Sequence, residues 1–533
     1  MTTTAASQPI STTGRTDLVA RRYAALAGVV ASAVALATGE VIAAFITGAP
    51  SPVAAVGSAL IDFAPSGSKE VIVALFGTND KPALLLLVTT VVLLVGAAIG
   101  LVGRSRQGIA ITAILALVGV GLLAGLRQAE VQLTMALVSA ALQAGLGIQA
   151  LTMLLAVAPR DGAGTTGLPA HGPAAVAGRR SFLARAGVLG GLAVIGGGIG
   201  RSLLEGRAGS IAEVAATIPQ AVDPAQAPGP ESSFDVAGLT PLVVKNGDFY
   251  RIDTALVTPA VDVGRWSLRV HGMVRNEVTL TFAQLMELPL HEQYITIACV
   301  SNEVGGGLVG NAKWTGVRLT DVLDMAGVLP GGTQIVPRSV DNWSAGFPTE
   351  WVTAPERPRD ALIAVKMNDE PLPAAHGFPA RLIVPGLYGY VSATKWLTDI
   401  ELTTLEGFDA YWVPRGWAKK APILTQSRID VPSNLATLKA GVVAIAGVAW
   451  APDRGITKVE VAVDDGEWQP ATIATAIGPQ TWIQWKLAWQ AAPGDHQIAV
   501  RATDGTGEVQ TDQVTRPDPD GARGHHRILV HVG

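Results

Sequence analysis

Apolar positions are concentrated in the first 205 residues of this chain. Four runs, 23–47, 82–103, 108–126 and 131–158, are nearly free of charge. Each is long enough for a hydrocarbon layer of roughly 30 Å at about 1.5 Å per residue. A fifth run, 182–204, is weaker, because its uncharged stretch Ala186–Gly200 is rich in glycine and bracketed by Arg185 and Arg201. The segment 51–76 is interrupted by Asp62, Pro65, Lys69 and Glu70, and it reads as an interfacial or external loop. Residues 1–205 are therefore expected to form an α-helical membrane domain of about five spans.

After residue 205 the pattern changes. Residues 206–239 hold Pro219, Pro224, Pro228 and Pro230 among small residues, a composition suited to a linker. From 240 to 420 short strands and helices alternate. Trp266–Met273 reads as a strand, Leu280–Leu288 as a short helix, and Leu319–Gly327 as a helix closed by its glycine. This is the pattern of a mixed α+β domain. Beyond 421 the texture is all strand: 441–450, 456–463, 481–489 and 495–502, joined by turns such as Asp464-Asp-Gly466 and Pro493-Gly494. In the third of these, Trp482 is out of phase with Ile483, Trp485, Leu487 and Trp489, so the strand has two apolar faces. Residues 421–533 are expected to form a β-sandwich.

Charge orients the spans. Arg15, Arg21 and Arg22 precede the first, Arg104 and Arg106 follow the second, and Arg160, Arg179 and Arg180 precede the fifth. These are alternate connections, and the others, with Lys69, Lys81 and Arg127 set against Asp62, Glu70, Asp80 and Glu130, are nearly balanced. An excess of basic residues marks cytoplasmic loops, which puts the N-terminus inside and everything after residue 204 outside. Residues 206–533 carry 26 of the 39 basic and 35 of the 43 acidic residues, a balance that argues against nucleic acid as a partner. At the entry to the fifth span, Gly178-Arg-Arg-Ser-Phe-Leu-Ala-Arg185 resembles a twin-arginine export signal, which moves cargo already folded. The alternative is a pair of arginines anchoring a helix end.

The spans hold none of the eight histidines, so they lack the imidazoles of a membrane haem. Glu40 is the carboxylate within the first span. It is either a proton or quinone site or an end-of-span group reaching the headgroups. Cys299 is the single cysteine of the 533 residues, in Ile295-Thr-Ile-Ala-Cys-Val-Ser-Asn-Glu-Val-Gly-Gly306, where a strand-like run breaks into a polar loop. A lone thiol facing an oxidising compartment is either buried and inert or bound to something.

Four stretches in the outer part then carry a resemblance. They are Ile297-Ala-Cys299 with Asn302, Gly310-Asn-Ala-Lys-Trp-Thr-Gly-Val317, His376-Gly-Phe-Pro-Ala-Arg-Leu-Ile-Val-Pro-Gly386, and Ser392-Ala-Thr-Lys-Trp396. In this order and spacing, residues 240–420 resemble the molybdopterin-binding domain of the sulfite oxidase family, and 421–533 its immunoglobulin-like dimerisation domain. The resemblance implies a molybdenum cofactor (Mo-molybdopterin) with Cys299 as metal ligand. It implies cofactor binding by Asn302, His376, Arg381, Ser392 and Lys395, with Phe249, Tyr250 and Arg251 closing the other side. Trp314, Trp343 and Trp396 are expected to pack, not to bind.

The segment after Cys299 departs from the family pattern, in which arginines follow the asparagine. Here Glu303 and Val304 stand there, which disfavours an anionic substrate such as sulfite unless Arg338, Arg415 or Lys419 reaches in. Glu303 is a candidate proton carrier in catalysis or a solvent-facing carboxylate. The expected activity is oxygen-atom transfer by a membrane-anchored oxidoreductase, on a small sulfur or nitrogen compound or on methionine sulfoxide in exported proteins. Electrons would pass to or from a cytochrome or the quinone pool, and a homodimer is implied by the dimerisation domain. The competing reading is a metal-free binding module outside the membrane that kept the fold.

Overall fold

A computed structural model describes residues 12–46, 48–63, 80–128, 131–158, 173–205, 214 and 216–533. Several positions of the charge argument, among them Lys69, Glu70, Glu130 and Arg160, lie outside the described residues, as do 206–213 of the expected linker. The chain divides into two compact units. One comprises residues 1–207 with 255–258, and the other comprises 208–254 with 259–533.

The first unit is helical: α1 Thr12–Phe45, α2 Pro52–Phe63, α3 Asp80–Gly103, α4 Gln107–Gly125, α5 Leu133–Val157 and α6 Pro173–Glu205. Five of these contain apolar segments of 19 to 26 residues, long enough to cross a membrane, and they coincide with the five expected spans. The segment read as a loop is partly a helix. Pro52–Phe63 forms α2, started by Pro52 at its first turn and by Ser51, whose hydroxyl accepts the Ala54 N–H at 3.2 Å. Glu40 explains the position of α2. It does not reach outward to headgroups; it is 6% exposed, accepting from the Ser51 hydroxyl at 2.7 Å and from the Val53 N–H at 3.2 Å, so a carboxylate caps the positive end of that helix. Gly28 and Gly100 let α1 and α3 touch backbone to backbone: a Cβ on Gly28 would overlap the Gly96 carbonyl, and one on Gly100 the Ala24 carbonyl. Within the export-like motif Arg179 and Arg180 are exposed. Phe182 is fully buried and meets Tyr23 of α1 edge-on at 4.9 Å.

In the second unit an antiparallel sheet runs 290–298, 309–318, 362–367, 370–371, with Arg381–Ile383 paired to Leu362–Met367. Its first strand, Leu290–Ala298, ends immediately before Cys299. A second sheet orders 278–281, 267–272, 397–403, 334–339 and 347–348, with 267–272 and 397–403 parallel. The expected helix over 280–288 is shorter, Phe282–Met286, because Val278–Thr281 joins this sheet and Thr281 then closes a capping box with Gln284. Leu319–Ala326 ends as expected on Gly327, at φ 66°. Residues 421–533 form two further sheets, 426–431/441–450/483–491/472–473 and 436–438/526–532/494–504/456–463/469–470, packed around Ile445, Val461, Trp485 and Ile498.

The two expected domains share one core. Ile483 and Trp485 point between the C-terminal sheets, whereas Trp482, fully buried, enters the core of the α+β part and donates its indole N–H to the Leu242 carbonyl at 2.7 Å. The described part of the expected linker is laid against this unit: Val222 N–H donates to Leu290 O at 2.8 Å and Phe234 N–H to Gln484 Oε1 at 2.7 Å.

Candidate functional site

Cys299 opens a loop that its own backbone closes. Its N–H donates to the Leu308 carbonyl at 2.9 Å, and its carbonyl accepts from the Asn302 N–H at 3.1 Å. Asn302 finishes the loop by accepting the Leu308 N–H at 2.7 Å through Oδ1. A Cβ on Gly306 would stand 2.6 Å from that oxygen, so the turn needs glycine there. The thiol is half-buried, and Glu303 beside it is exposed. From the C-terminal part, Arg428 reaches the loop, donating to the Gly306 carbonyl at 2.9 Å while paired with Asp430 at 2.6 Å.

A buried cationic cluster is built from the second, third and fourth motif stretches and the Phe249–Asp253 run. Phe249 is stacked on Tyr250 at 5.3 Å and meets Trp314 and His376 edge-on at 5.9 and 5.8 Å. Gly310 makes room for it, since a Cβ there would lie 2.7 Å from the Phe249 ring. Arg381 is 3% exposed, lies 5.0 Å over the Trp314 ring and donates to the His376 carbonyl at 3.0 Å. Trp314, expected only to pack, is thus a wall of this cluster. Lys395 donates to Asp253 and to the Ala375 carbonyl, both at 3.0 Å, and Arg251 pairs with the same Asp253 at 3.0 Å.

Burial governs the electrostatics. It pushes Arg381 down to about 10 and Lys395 down to about 8, the latter against the pull of Asp253. Burial, reinforced by the charges of Arg381 and Lys395, pushes His376 down to about 4, so the imidazole is neutral. Its Nε2 then carries the proton donated to Asn246 O at 2.9 Å, and Nδ1 keeps a lone pair. Burial first, and then the charge of Cys299, raise the Tyr250 phenol and push Tyr388 up to about 12. Ser392 turns away: its hydroxyl donates to the Leu387 and Tyr388 carbonyls at 3.1 and 3.0 Å.

Because His376 is charged more easily unfolded than folded, its protonation favours unfolding. Stability is therefore level above about pH 6.5, falls as the pH drops, and levels again below about 4, a loss of about 3 kcal/mol from this group. In denaturant unfolding, His376→Gln is expected to shrink the loss between pH 6.5 and 4 by that amount. Equal losses in variant and parent would assign the whole effect to carboxylates.

Residues 255–412 match the family described as "Oxidoreductase molybdopterin binding domain", and 421–526 match the "Mo-co oxidoreductase dimerisation domain". Mitochondrial sulfite oxidase of Mus musculus is 29% identical over 307 residues, 49% of this chain and 56% of that protein. Sulfite oxidase of Arabidopsis thaliana is 27% identical over 377 residues, 59% of this chain and 93% of that one. The uncharacterized oxidoreductase YuiH of Bacillus subtilis (strain 168) is 32% identical over 156 residues, 29% of this chain and 74% of YuiH. The chain belongs to the sulfite oxidase family. It spans just over half, 56%, of the mouse member of that family.

The family's cofactor is molybdenum held by molybdopterin, and the residues present fit it. Among the described residues no three of His, Cys, Asp and Glu converge, so a metal here must bring most of its ligands with it, leaving one place for a thiolate. The cluster of Arg251, Arg381 and Lys395 around Asp253 has cations in surplus. Arg381 Nε, His376 Nδ1 and Thr394 Oγ1 are buried without partners among the described residues. Such a pocket asks for an anion with hydrogen-bonding groups on a flat body, which a pterin phosphate supplies. The contacts described for Arg338, Arg415 and Lys419 lie away from the Cys299 loop. Arg338 pairs with Asp399 and Glu401, Lys419 with Asp409 at 2.7 Å, and Arg415 lies over the Tyr411 ring. Asp253 and Tyr388 were not legible as site residues. The one signal for Asp253 is its place two residues after Arg251 in a run already chosen.

Proposed function

We propose that this chain is a membrane-anchored molybdenum oxidoreductase that transfers an oxygen atom at a centre ligated by Cys299, on the outer side of the cytoplasmic membrane. The observation that carries the reading is the buried surplus of positive charge at Arg381 and Lys395, with polar atoms left unpartnered, in the same unit as the half-buried lone thiol. When bound, the cofactor supplies oxygen-atom transfer and passes electrons on singly.

The protein's own share is binding, orientation and access. Arg381 and Lys395 would hold the phosphate, and Arg251 would add charge from the exposed rim. The His376 Nδ1 lone pair would be free to accept a hydrogen bond from the cofactor, with Phe249, Tyr250 and Trp314 as apolar walls. Asn302 and Arg428 fix the loop so that the Cys299 sulfur stays in one place. Glu303, exposed beside it, exchanges protons with solvent during turnover. Ser392 holds the turn Leu387–Tyr388 and acts on the cofactor pocket through it.

The five apolar helices and the alternation of basic loops support anchoring with residues after 204 outside. Export in the folded state through Arg179 and Arg180 fits a domain that must be loaded before it crosses, and the burial of Phe182 against Tyr23 supports retention of α6 as a helix of the anchor. The two C-terminal sheets are read as an immunoglobulin-like pairing domain, giving a homodimer, with a cytochrome or the quinone pool as redox partner.

The test is metal analysis and turnover of the full chain purified from membranes. About one molybdenum per chain is expected, with activity on artificial electron donors or acceptors that is lost when the cofactor is withheld. A folded protein without molybdenum, still binding a ligand, would instead support the binding-module reading.

A further inference from the structure

We propose that Asp520 is a specificity-determining residue: by holding Arg523 in a two-pronged ion pair beside Tyr388, it leaves the approach to Cys299 without a free cation among the described residues, so the site selects uncharged S-oxides or N-oxides over oxyanions. This rests on the oxidoreductase reading above.

The loop that carries the pair lies against Tyr388 and against Val304 of the Cys299 loop, and Gly389, next to Tyr388, comes close to the residue before Cys299, since a Cβ there would stand 3.6 Å from the Ala298 carbonyl. A Cβ on Gly521 would stand 2.6 Å from the Tyr388 hydroxyl, and one on Gly524 would stand 3.7 Å from the Val304 side chain. Arg523 Nη1 and Nη2 donate to Asp520 Oδ1 and Oδ2 at 3.0 and 2.9 Å. The cation that contacts the Cys299 loop among the described residues is also engaged: Arg428 is spent on Asp430, the Gly306 carbonyl and Thr240. His526 faces Gly305 with Nδ1 already accepting the Ile429 N–H at 2.9 Å, and burial holds it below its ordinary value. Glu303 adds an exposed negative charge on the same loop.

An oxyanion would therefore have to displace Asp520 from Arg523. That exchanges one charge-assisted pair for another and gains little, while the anion still gives up water beside Glu303. A neutral S–O or N–O dipole needs only a donor. The Tyr388 hydroxyl accepts a long contact from Leu424 N–H at 3.5 Å and keeps its own proton to give. Tyr390, two residues after Tyr388, packs on Trp417 at 5.8 Å, an aromatic wall suited to the substituents of an uncharged substrate.

Sulfate titrated calorimetrically into the molybdenum-loaded full chain is the direct test. The parent is expected to show no saturable binding in the millimolar range, whereas Asp520→Asn frees Arg523 and tightens sulfate at least about tenfold. Asp520→Glu restores the parent behaviour. In parallel, kcat/KM for dimethyl sulfoxide relative to sulfite falls about tenfold in Asp520→Asn. Sub-millimolar sulfate binding by the parent overturns the proposal without any variant, as does an unchanged sulfate affinity in molybdenum-loaded Asp520→Asn. A folded parent chain that takes up no molybdenum when the cofactor is supplied sinks the oxidoreductase reading itself, a result separate from either of these.

Discussion

Cys299→Ser is expected to lower turnover by at least about a thousandfold, the equivalent of about 4 kcal/mol of transition-state stabilisation, with little effect on the fold. The two consequences separate because loop closure runs through the backbone of residue 299. The N–H to Leu308 and the carbonyl to Asn302 survive the substitution, and Asn302 keeps its bond to the Leu308 N–H. Serine has nearly the shape of cysteine, so the half-buried position is filled as before. What changes is the donor atom. A thiol is readily deprotonated beside a metal to a soft thiolate, whereas a serine hydroxyl is neither soft nor readily deprotonated, so the electronic character of the centre is lost while its pocket remains. Three measurements check this together: thermal unfolding within about 0.5 kcal/mol of the parent, molybdenum content still appreciable, and activity gone. Activity that survives with metal bound would remove the sulfur from the mechanism; a collapse of unfolding temperature would make Cys299 a packing residue.

How far the sequence discloses this arrangement depends on the range of the forces involved. The five apolar helices were legible because membrane-scale burial writes itself as contiguous composition. Trp482 was legible as out of phase with its neighbours because strand alternation is local, and the structure sends it into a different core from Trp485. The membership of His376, Arg381 and Lys395 in one cluster was legible only through the resemblance of their motifs, since no local rule brings residue 249 to residues 310, 376 and 395. Asp253, whose carboxylate joins Lys395 to Arg251, gave almost no signal, because an ion pair across more than a hundred residues has no period. Glu40 shows the opposite limit. A carboxylate in an apolar run invites a functional reading, yet its partners are the start of α2, a helix that the charged interruptions of 51–76 concealed.

Arg381→Met is expected to cut bound molybdenum to less than a tenth of the parent while leaving the cofactor-free protein as stable as before or more so. The argument turns on an unpaired cation. Arg381 is buried, and among the described residues no carboxylate pairs with it; its contacts are the His376 carbonyl and the face of Trp314. Burial depresses it from 12.5 to about 10, a cost to the charged form of roughly 3 kcal/mol in the cofactor-free protein. Methionine keeps much of the length and packs on Trp314 without that cost, at the loss of one hydrogen bond worth about 1 kcal/mol. A phosphate changes the sign. It converts the isolated cation into a desolvated charge pair, whose removal costs about 2–5 kcal/mol of binding, enough to empty the site at cellular cofactor concentrations. A residue conserved by folding needs would behave in the reverse way, with the cofactor-free variant destabilised by more than about 2 kcal/mol. Denaturant unfolding of cofactor-free parent and variant, read beside their metal contents, therefore distinguishes a binding cation from a structural one, and it does so without any knowledge of the substrate.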